Sequence, residues 1–304
     1  MGARSTVLLA LALMLISAHG AHAVRTQVPA SLLFERKGDL YRMTIDGSET
    51  VRLTATRAEE SSPAASPDGL RVAFGRGKDE LWTIDMRGAD AHRLVAKRPR
   101  TVLYASTGSP TWSTDGRWIY FDRASQTPNE ICGSIFRVGS AGGALKRVTA
   151  GLVRGSLDGE PDVSPDGRRI VLVSGDCEPG CCPGIAVVDT AGRPTRDLSR
   201  LGPTRGVQLA PSWAPDGNHL AFVVYDADGS GRSAIHVVNR NGSGLRRITQ
   251  WTFETDDPAW SPDGRDIAFH KEGGLFLVNP DGTNLERVPG TRAGDSSPSW
   301  LPRN

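Results

Sequence analysis

Residues 257–264 read Asp-Pro-Ala-Trp-Ser-Pro-Asp-Gly, and the same spacing of proline, aspartate and glycine returns along the chain. Four more copies begin at residues 62, 109, 160 and 210, and a shorter copy, Ser-Pro-Ser-Trp, occupies residues 297–300. The leading prolines of these copies are 47, 51, 50, 47 and 40 residues apart. A recurring period of this length indicates an array of supersecondary units and not one or two unrelated domains.

Each copy has a local explanation as a turn between two strands. In Ser-Pro-Asp-Gly, proline fixes φ for the second position of a type I turn, aspartate suits the third, and glycine takes the left-handed position that follows. A short apolar or alternating segment comes next, for example residues 70–74, 117–121 and 266–269, as β propensity requires. A second glycine turn precedes another strand, so each unit predicts a four-stranded antiparallel sheet. We interpret the aspartates of the copies as turn residues: Asp68, Asp115, Asp166, Asp216 and Asp263.

The two ends of the chain supply the parts of one more unit. Residues 31–34, 39–45 and 50–54 read as the last three strands of a unit, and residues 297–300 read as a first strand alone. Joined, they complete a sixth unit and leave no open sheet edge at the join. The prediction is an all-β fold: a six-bladed β-propeller of four-stranded antiparallel blades, closed by pairing of the N- and C-terminal segments.

The full repeat, Pro-x-Trp-Ser-Pro-Asp-Gly-x-x-Ile-Ala-Phe followed by Val-Asn-x-Asp-Gly, resembles the WD40-like Pro-Asp repeats of TolB and of the tricorn and prolyl-oligopeptidase propellers. The resemblance covers nearly the whole chain after residue 23. TolB is a periplasmic propeller that binds a peptidoglycan-associated lipoprotein and reaches an envelope complex through a separate N-terminal α/β domain. The first predicted strand here starts near residue 31, which leaves no room for that domain. The resemblance therefore implies that the propeller face binds an envelope protein, without the full envelope-complex role.

Composition and charge exclude several classes of protein. The 304 residues include 36 Lys+Arg against 34 Asp+Glu, and 38% belong to the hydrophobic set. This balance disfavours a disordered polymer, a polytopic membrane protein and a nucleic-acid binder with clustered positive charge. The 35 glycines and 20 prolines are explained by two turns in every blade.

The N-terminal 23 residues predict a signal peptide. Arg4 precedes an apolar run over residues 7–16, and Ala21-His22-Ala23 is a plausible cleavage site. That run is too short to span a bilayer comfortably, and no cysteine near the cleavage point could accept a lipid. We expect residues 24–304 to form a single propeller domain, monomeric and periplasmic or secreted, with no transmembrane segment after signal cleavage.

Strand parity separates two faces of the predicted ring. The turns between strands 1 and 2 and between strands 3 and 4 are short and lie on one face, here called the far face. The loops between strands 2 and 3 and the links between blades lie on the other, the near face, and they vary in length. Variable loops on a rigid scaffold are where function usually resides.

All four cysteines fall in near-face loops of two consecutive blades. Cys132 belongs to the first of these blades, and Cys177, Cys181 and Cys182 belong to the next. An even count in an exported protein favours disulfides over free thiols. We predict one bridge from Cys132 to the Cys181-Cys182 pair and a local bridge that uses Cys177. The alternative is a small metal site, although the spacing matches no standard zinc motif.

Carboxylates gather just before the leading prolines, where the chain enters the first strand of a blade. In propellers that strand lines the central channel, so by resemblance these carboxylates would ring its mouth. Such a ring could hold a cation or receive a lysine or arginine from a partner. The alternative is that they are solvated loop residues at the starts of strands. The candidate binding residues are Glu59, Glu60, Asp158, Glu160, Asp256, Asp257 and Asp295.

One loop matches the first half of a calcium-binding loop. Asp226, Asp228 and Ser230 stand at positions one, three and five, and glycine stands at position six. The acid that would complete the site is absent, because Val237 occupies position twelve. An Asp-Gly turn is the alternative, and no cofactor is otherwise predicted.

The sequence carries no recognisable catalytic constellation. It has no Gly-x-Ser-x-Gly nucleophile elbow and no phosphate-binding loop that precedes a helix. Its histidines after residue 23 fall at different strand positions and do not converge by parity: His92, His219, His236 and His270.

The leading functional hypothesis is an exported, non-catalytic propeller that binds a protein or peptide on its near face. The alternative is a propeller that binds or cleaves carbohydrate at the channel mouth, where aromatic rings and carboxylates could contact a sugar. The aromatic candidates for that role are Trp251, Phe253 and Tyr104.

Overall fold

The computed structural model describes residues 30–96, 104–126, 131–149, 158–175, 183–197 and 206–302. All secondary-structure elements in these ranges are β-strands. The predicted signal peptide, residues 1–23, lies outside them. Across the described ranges there is no helix with the length and apolar character that crossing a bilayer requires.

The strands are numbered in chain order. Those before residue 164 are β1 (Ser31–Arg36), β2 (Asp39–Thr44), β3 (Thr50–Arg52), β4 (Glu60–Ala65), β5 (Arg71–Arg76), β6 (Glu80–Asp85), β7 (His92–Val95), β8 (Tyr104–Trp112), β9 (Trp118–Gln126), β10 (Ile131–Gly139), β11 (Lys146–Arg147) and β12 (Gly159–Val163). Those after it are β13 (Arg169–Ser174), β14 (Gly184–Asp189), β15 (Pro194–Asp197), β16 (Gln208–Trp213), β17 (His219–Tyr225), β18 (Arg232–Asn239), β19 (Arg246–Arg247), β20 (Thr252–Phe253), β21 (Asp256–Trp260), β22 (Ile267–Lys271), β23 (Gly274–Val278), β24 (Glu286–Arg287) and β25 (Asp295–Trp300).

These strands form six antiparallel blades. Blade 1 contains β4 to β7, blade 2 contains β8 to β11, and blade 3 contains β12 to β15. Blade 4 contains β16 to β19, with β20 paired to β18 as an extra strand, and blade 5 contains β21 to β24. Blade 6 has the order β25-β1-β2-β3, so its innermost strand comes from the C-terminus and the other three from the N-terminus. The predicted all-β, six-bladed propeller and its mode of closure are confirmed.

The closing blade is joined through both backbone and side chains. Leu32 pairs with Trp300 and Leu33 pairs with Ser299 in the antiparallel register of β1 and β25. The Arg36 guanidinium donates to both carboxylate oxygens of Asp295, at 2.6 and 2.7 Å. Each of the two segments therefore completes a blade that the other cannot form by itself.

The Ser-Pro-Asp-Gly turns take the predicted geometry. In blade 1, Ser66 Oγ donates to Asp68 Oδ1 at 2.6 Å, and the Leu70 N–H donates to the same oxygen at 3.0 Å. Gly69 has φ of 68°, the left-handed region that glycine adopts without steric cost. The aspartates of the repeats thus serve the far-face turns.

The hydrophobic core is divided into six clusters, one between each pair of neighbouring blades. The second strand of most blades contributes a fully buried phenylalanine, such as Phe74 in blade 1 and Phe222 in blade 4. Tryptophans of the inner strands pack against the preceding blade, and Trp112 Nε1 donates to the Ala64 carbonyl across that interface at 3.1 Å. Burial between blades, and not within one blade, therefore holds the ring together.

Each inner strand breaks its register immediately before the leading proline. The residue that precedes this proline has a positive φ, between 43° and 52°, in all six blades. We call these residues the channel ring: Ser62, Ser109, Glu160, Ala210, Asp257 and Ser297.

A second set of polar residues lies two positions before the channel ring, within each inner strand or immediately before it. Every one of them is at most 4% exposed. We call these residues the buried ring: Glu60, Thr107, Asp158, Gln208, Thr255 and Asp295.

Candidate functional site

The inner strands enclose a central channel of about 530 Å³, to which all six blades contribute. The channel ring and the prolines that follow it form part of the lining. Since proline has a fixed φ, this part of the wall is rigid and the channel is largely preformed. The prolines are Pro63, Pro110, Pro161, Pro211, Pro258 and Pro298.

The channel ring is chemically uneven. Blades 3 and 5 contribute Glu160 and Asp257, and Ala210 of blade 4 lies between them in the ring. Because alanine ends at its methyl group, no long side chain from blade 4 separates the two acidic positions. The other three blades place hydroxyl groups in the ring, from Ser62, Ser109 and Ser297. The ring therefore has a carboxyl half and a hydroxyl half.

Hydrogen bonds from the next blade hold both acidic side chains in place. Glu160 Oε2 accepts from the Ala210 N–H at 2.6 Å. Asp257 Oδ2 accepts from the Ser297 N–H at 3.2 Å and from the Ser297 hydroxyl at 3.1 Å. Each carboxyl group thus spans an interface between blades and is oriented before any ligand arrives.

Both acids bind protons more tightly than an exposed carboxylate does. Burial, together with the negative charges of Asp122, Asp257 and Asp256, raises the pKa of Glu160 to about 7, although the hydrogen bond from the Ala210 N–H favours the ionised form. Burial and the adjacent Asp256 raise the pKa of Asp257 to about 7, although the bonds from Ser297 favour its ionised form. Carboxyl groups with such values in a cleft are typical of functional sites.

Two further aspartates lie close to this cluster. Asp162 accepts from the Trp213 N–H at 2.7 Å and from the Thr111 hydroxyl at 3.2 Å, and burial raises its pKa to about 6. Burial also raises the pKa of Asp122 to about 6, and its Oδ1 is enclosed without a hydrogen-bond partner in the described structure. The acidic environment of the channel therefore extends beyond the channel ring.

Asp256 lies beside Asp257 at the start of β21. The Tyr225 hydroxyl donates to Asp256 Oδ2 at 3.1 Å. Burial, followed by the charge of Asp256, raises the pKa of Tyr225, so the phenol stays protonated as a donor. Burial and then the charge of the exposed Glu59 raise the pKa of Glu35, whose own charge also raises the pKa of Asp257. Glu35 and Glu59 thus continue the acidic surface toward blades 6 and 1.

Three of the sequence-predicted carboxylates lie in the buried ring, and each is bonded to the second strand of its own blade. Glu60 pairs with Arg76 at 3.0 Å and accepts from the Thr54 hydroxyl at 2.9 Å. Asp158 Oδ1 accepts from the Ser174 hydroxyl at 2.8 Å, and Asp295 is held by Arg36. These groups connect first and second strands. The structure therefore separates the seven candidates into four groups: Glu160 and Asp257 in the channel ring, Asp256 next to Asp257, the exposed Glu59 just before β4, and three in the buried ring.

The calcium candidate loop holds an arginine among its oxygens. Arg232 places its guanidinium 3.0 Å from Asp226 Oδ2 and 3.0 Å from Asp228 Oδ2, and its Nε donates to Ser230 Oγ at 3.0 Å. Within the described ranges, no group of three or more His, Cys, Asp or Glu side chains is arranged to hold a metal ion.

The cysteine predictions fall largely outside the described residues. Cys132 lies in β10, but its side chain is not among those described, and Cys177, Cys181 and Cys182 belong to the segment that is left out. The disulfide pairing therefore stays a prediction.

The histidines occupy separate environments. His92 bonds to Asp90 and His219 to Asp216, both at 2.7 Å on the exposed surface. His236 is buried, stacks on Phe222, and has its pKa lowered by burial. His270 pairs with Asp256 across β21 and β22, and burial lowers its pKa as well.

The aromatic candidates for sugar stacking do not form one surface in the described structure. Trp251 is partly buried and packs against the cluster between blades 3 and 4. Phe253 is 57% exposed on β20. The side chain of Tyr104 is not among those described.

The sequence did not indicate four of the residues described above: Asp122, Asp162, Tyr225 and Glu35. Asp162 follows a leading proline and Asp122 ends an apolar strand segment, so neither fits the pattern of acids before the proline. One signal for Asp162 appears when the repeats are aligned, because only blade 3 has an acid at this position. The other blades have a small or hydroxyl residue there: Ala64, Thr111, Ser212, Ala259 and Ser299.

Comparison with known proteins gives short sequence matches and long structural ones. No protein-family model matches the chain. A protein named TolB homolog from Chlorobium luteolum is 33% identical over 108 residues, which are 34% of this chain and 24% of that protein. An uncharacterized protein of Agrobacterium fabrum is 29% identical over 168 residues, 53% of each chain. The chain thus spans about half or less of the length of these relatives.

Solved structures resemble most of the chain at low identity. TolB from Acinetobacter baumannii has a TM-score of 0.70 at 18% identity and covers 90% of this chain and 67% of its own. A structure named for TolB from Agrobacterium tumefaciens has a TM-score of 0.64 at 19% identity, with 88% and 91% covered. An oligogalacturonate lyase in complex with manganese has a TM-score of 0.58 at 16% identity, with 84% and 70% covered. The fold is a TolB-like six-bladed propeller.

Proposed function

We propose that this protein is an exported, non-catalytic propeller that binds a protein or peptide partner on its near face. A basic side chain of the partner enters the channel mouth and lies between Glu160 and Asp257. The observation that carries the proposal is the carboxyl half of the channel ring: two oriented acidic groups flank an alanine, and neither forms an ion pair with a described Lys, Arg or His.

The dimensions of the channel favour a side chain or an extended segment as the bound group. A volume of about 530 Å³ is within the range of small-molecule pockets and far below that of a folded domain. A lysine or arginine side chain has the length and charge to enter, while the rest of the partner would contact the near-face loops. Glu59 and Asp256 would attract such a partner and speed the encounter.

The resemblance to TolB supports an envelope protein as the partner. The sequence predicts a signal peptide, which would place the chain in the periplasm or outside the cell. The structural likeness is to the propeller alone, and a fold does not by itself specify a function. The channel chemistry therefore carries the proposal, and the resemblance indicates where to look for the partner.

Carbohydrate recognition at the same mouth is the second candidate. It is favoured by carboxyl groups in the channel whose raised pKa suits acid-base chemistry. The likeness to an oligogalacturonate lyase extends to the fold alone. A glycan array separates this candidate from the first.

Site-specific photocrosslinking in the producing cell tests the proposal. A benzophenone amino acid replaces Ser62 in the channel ring, and Leu70, which is 65% exposed on the far face of the same blade, serves as the matched control. We expect a specific protein adduct from position 62 and none from position 70. The adduct should be lost when E160Q and D257N are added. Equal adducts from both positions, or glycan binding without a protein adduct, would reverse the ranking of the two functions.

A further inference from the structure

Three carboxyl groups from separate strands interact electrostatically around the channel ring. They are Asp122 on β9, Glu160 on β12 and Asp257 on β21, and the charges of Asp122 and Asp257 both act on Glu160. Like charges at short range cannot all ionise without cost when solvent is partly excluded. A protein that keeps such a cluster must supply a cation, a partner's positive charge or protons.

Asp122 shows that the described residues satisfy this cluster only in part. Hydrogen bonds from the Ser109 hydroxyl and the Glu160 N–H favour the ionised form of its carboxyl group, but its Oδ1 is enclosed and accepts no hydrogen bond in the described structure. A buried carboxylate oxygen without a donor is costly, whereas a protonated carboxyl group avoids the cost of a buried charge. The geometry at this position therefore favours a bound proton when no ligand is present.

Among the described residues, the groups that face Glu160 and Asp257 from neighbouring strands bring no positive charge to relieve them. Asp122 faces Glu160 from β9, Asp256 faces both from β21, and Glu35 faces Asp257 from β1. From β17, the Tyr225 phenol donates to Asp256. His270 on β22 is paired with Asp256, and burial lowers its pKa, which favours the neutral ring at neutral pH.

Two arginines on second strands are engaged in ion pairs with acids of the buried ring. Arg36 is bonded to Asp295 and Arg76 to Glu60. Ser297 and Ala210 donate neutral hydrogen bonds to the two carboxyl groups. Within the described part of the channel, the charge around Glu160 and Asp257 is therefore set by protons and by ligands.

We propose that the channel mouth is a proton-controlled binding site, which holds a basic partner in mildly alkaline solution and releases it in mildly acidic solution, as Glu160 and Asp257 take up protons. This inference rests on the proposed function, because it specifies how the same site is regulated. Burial and the neighbouring acids raise the pKa of both groups to about 7, so the change falls near neutral pH. For ordinary exposed carboxylates it would fall between about 4 and 5.

The sign of the effect follows from linkage. A cation binds the ionised carboxylates and opposes their protonation, so its binding releases protons and tightens as pH rises through the pKa values. Once both groups are ionised, a further increase in pH adds nothing. We expect affinity for a lysine-containing ligand to be roughly tenfold weaker at pH 6 than at pH 8.

NMR titration of the full chain provides the test. The side-chain carboxyl carbons of Glu160 and Asp257 are assigned from the signals lost in E160Q and D257N and are followed from pH 4 to pH 9. The ligand probe is the peptide acetyl-Gly-Lys-Gly-Lys-Gly-amide, and the same peptide with norleucine in place of lysine is its control. The variant E286Q changes an exposed carboxylate on the outermost strand of blade 5 and controls for net charge.

The outcomes separate the inference from the proposed function. Support requires that both carboxyl signals titrate between pH 6 and pH 8 and that lysine-peptide affinity rises over the same range. Carboxyl signals that titrate below pH 5, with affinity independent of pH, would overturn the proton control and leave the proposed function intact. Titration near pH 7 without any lysine-dependent binding would overturn the proposed function and, with it, the regulation inferred here.

Discussion

Glu160 and Asp257 occupy a position whose backbone is held in an uncommon conformation. Their φ values of 50° and 52° lie in the left-handed region, which costs a residue other than glycine about 1 to 2 kcal/mol. The same position holds serine or alanine in the other four blades, so the conformation belongs to the repeat, while the acidic side chains belong to two blades alone. The fold therefore provides the position and the sequence of each blade decides its chemistry.

A pH dependence of stability follows from these two residues. Because their pKa is raised on folding, the folded state binds more protons than the unfolded state between about pH 4.5 and 7, and the free energy of unfolding falls as pH rises through that window. Replacing the carboxyl groups by amides in E160Q/D257N should raise the free energy of unfolding at pH 8 by about 2 kcal/mol.

Urea unfolding at pH 5 and at pH 8 measures this difference. The gain of the double variant over the wild type should be much smaller at pH 5, where the wild-type groups carry protons. The E286Q variant should have the same free energy of unfolding as the wild type at both pH values. A double variant that is no more stable than the wild type at pH 8 would contradict the raised pKa values.

At the scale of the strands and turns, the glycine between strands 3 and 4 fits several blades closely against the one before. Gly88 has φ of 80°, and a Cβ there would lie 2.0 Å from the Leu53 carbonyl oxygen of blade 6. A Cβ built on Gly192 would likewise lie 2.1 Å from the Val148 carbonyl oxygen of blade 2. The repeated glycine thus permits a close approach of backbones in addition to a tight turn.

Comparing two alanine substitutions isolates this close approach. Gly77 also has a positive φ, 62°, but no atom lies within 4 Å of a Cβ built there. We expect G77A to cost about 1 kcal/mol of unfolding free energy from φ alone. G88A should cost about 2 kcal/mol more, because the blades must separate to admit the methyl group. Equal losses in the two variants, measured by denaturant unfolding, would show that the contact with Leu53 is not tight.

The strands that flank the cysteines are neighbours in the described structure, and the disulfide itself stays a prediction. The Asp158 N–H donates to the Gly133 carbonyl at 3.3 Å, and Asp158 Oδ1 accepts from Ser174, which ends β13 just before the segment with the other three cysteines. Gly133 follows Cys132 directly in β10, so β10 and the start of β12 are neighbours. A covalent link between blades 2 and 3 would stabilise the fold by about 4 kcal/mol in the chain-entropy model.

Mass spectrometry of a digest prepared without reduction tests this pairing. We expect one peptide pair that links Cys132 to Cys181 or Cys182, and a second, local link that includes Cys177. A digest of the reduced protein serves as the control. Four alkylated thiols in the non-reduced sample would rule out the disulfide prediction.

At the scale of the whole molecule, stability depends on the join in blade 6. Arg36 is 11% exposed and Asp295 is fully buried, so removing the arginine leaves an enclosed carboxylate without its cation. Loss of one partner of a buried pair costs about 3 to 5 kcal/mol. We therefore expect R36M to lower the melting temperature strongly, and deletion of residues 296–304 to lower it further.

The matched control for this prediction lies in the same blade. Arg42 pairs with Glu49 on the surface, where the side chains are 31% and 57% exposed, and exposed pairs contribute about 0 to 1 kcal/mol. R42M should therefore leave the thermal unfolding curve almost unchanged. A similar melting temperature for R36M and R42M would mean that ring closure does not depend on this ion pair.

The ring was predictable from the sequence because its signal is repeated. Copies such as residues 210–217 and 257–264 determine the turns and the number of blades, and the two incomplete ends determine how the ring closes. The arrangement of the acids was only partly predictable. Strict alternation places Glu60 and Ser62 on one side of β4, but the register break and the positive φ at Ser62 interrupt it. The sequence therefore grouped buried-ring and channel-ring acids together.

The contribution of Asp122 could not be predicted because it depends on distances between blades. Asp122 and Glu160 are 38 positions apart in the sequence, and no local pattern joins the end of β9 to the inner strand of the next blade. Their proximity results from the packing of blades 2 and 3 around the channel. Sites of this kind require the closed ring before the participating residues can be recognised.

The central claim is that Glu160 and Asp257 bind a basic group of a partner at the channel mouth. Its most direct test is the dissociation constant of the partner captured at position 62, measured by calorimetry at pH 8 with the wild type, E160Q/D257N and E286Q. Our account predicts binding at least roughly tenfold weaker for the double variant and unchanged binding for E286Q. Equal affinity of the wild type and the double variant would contradict it.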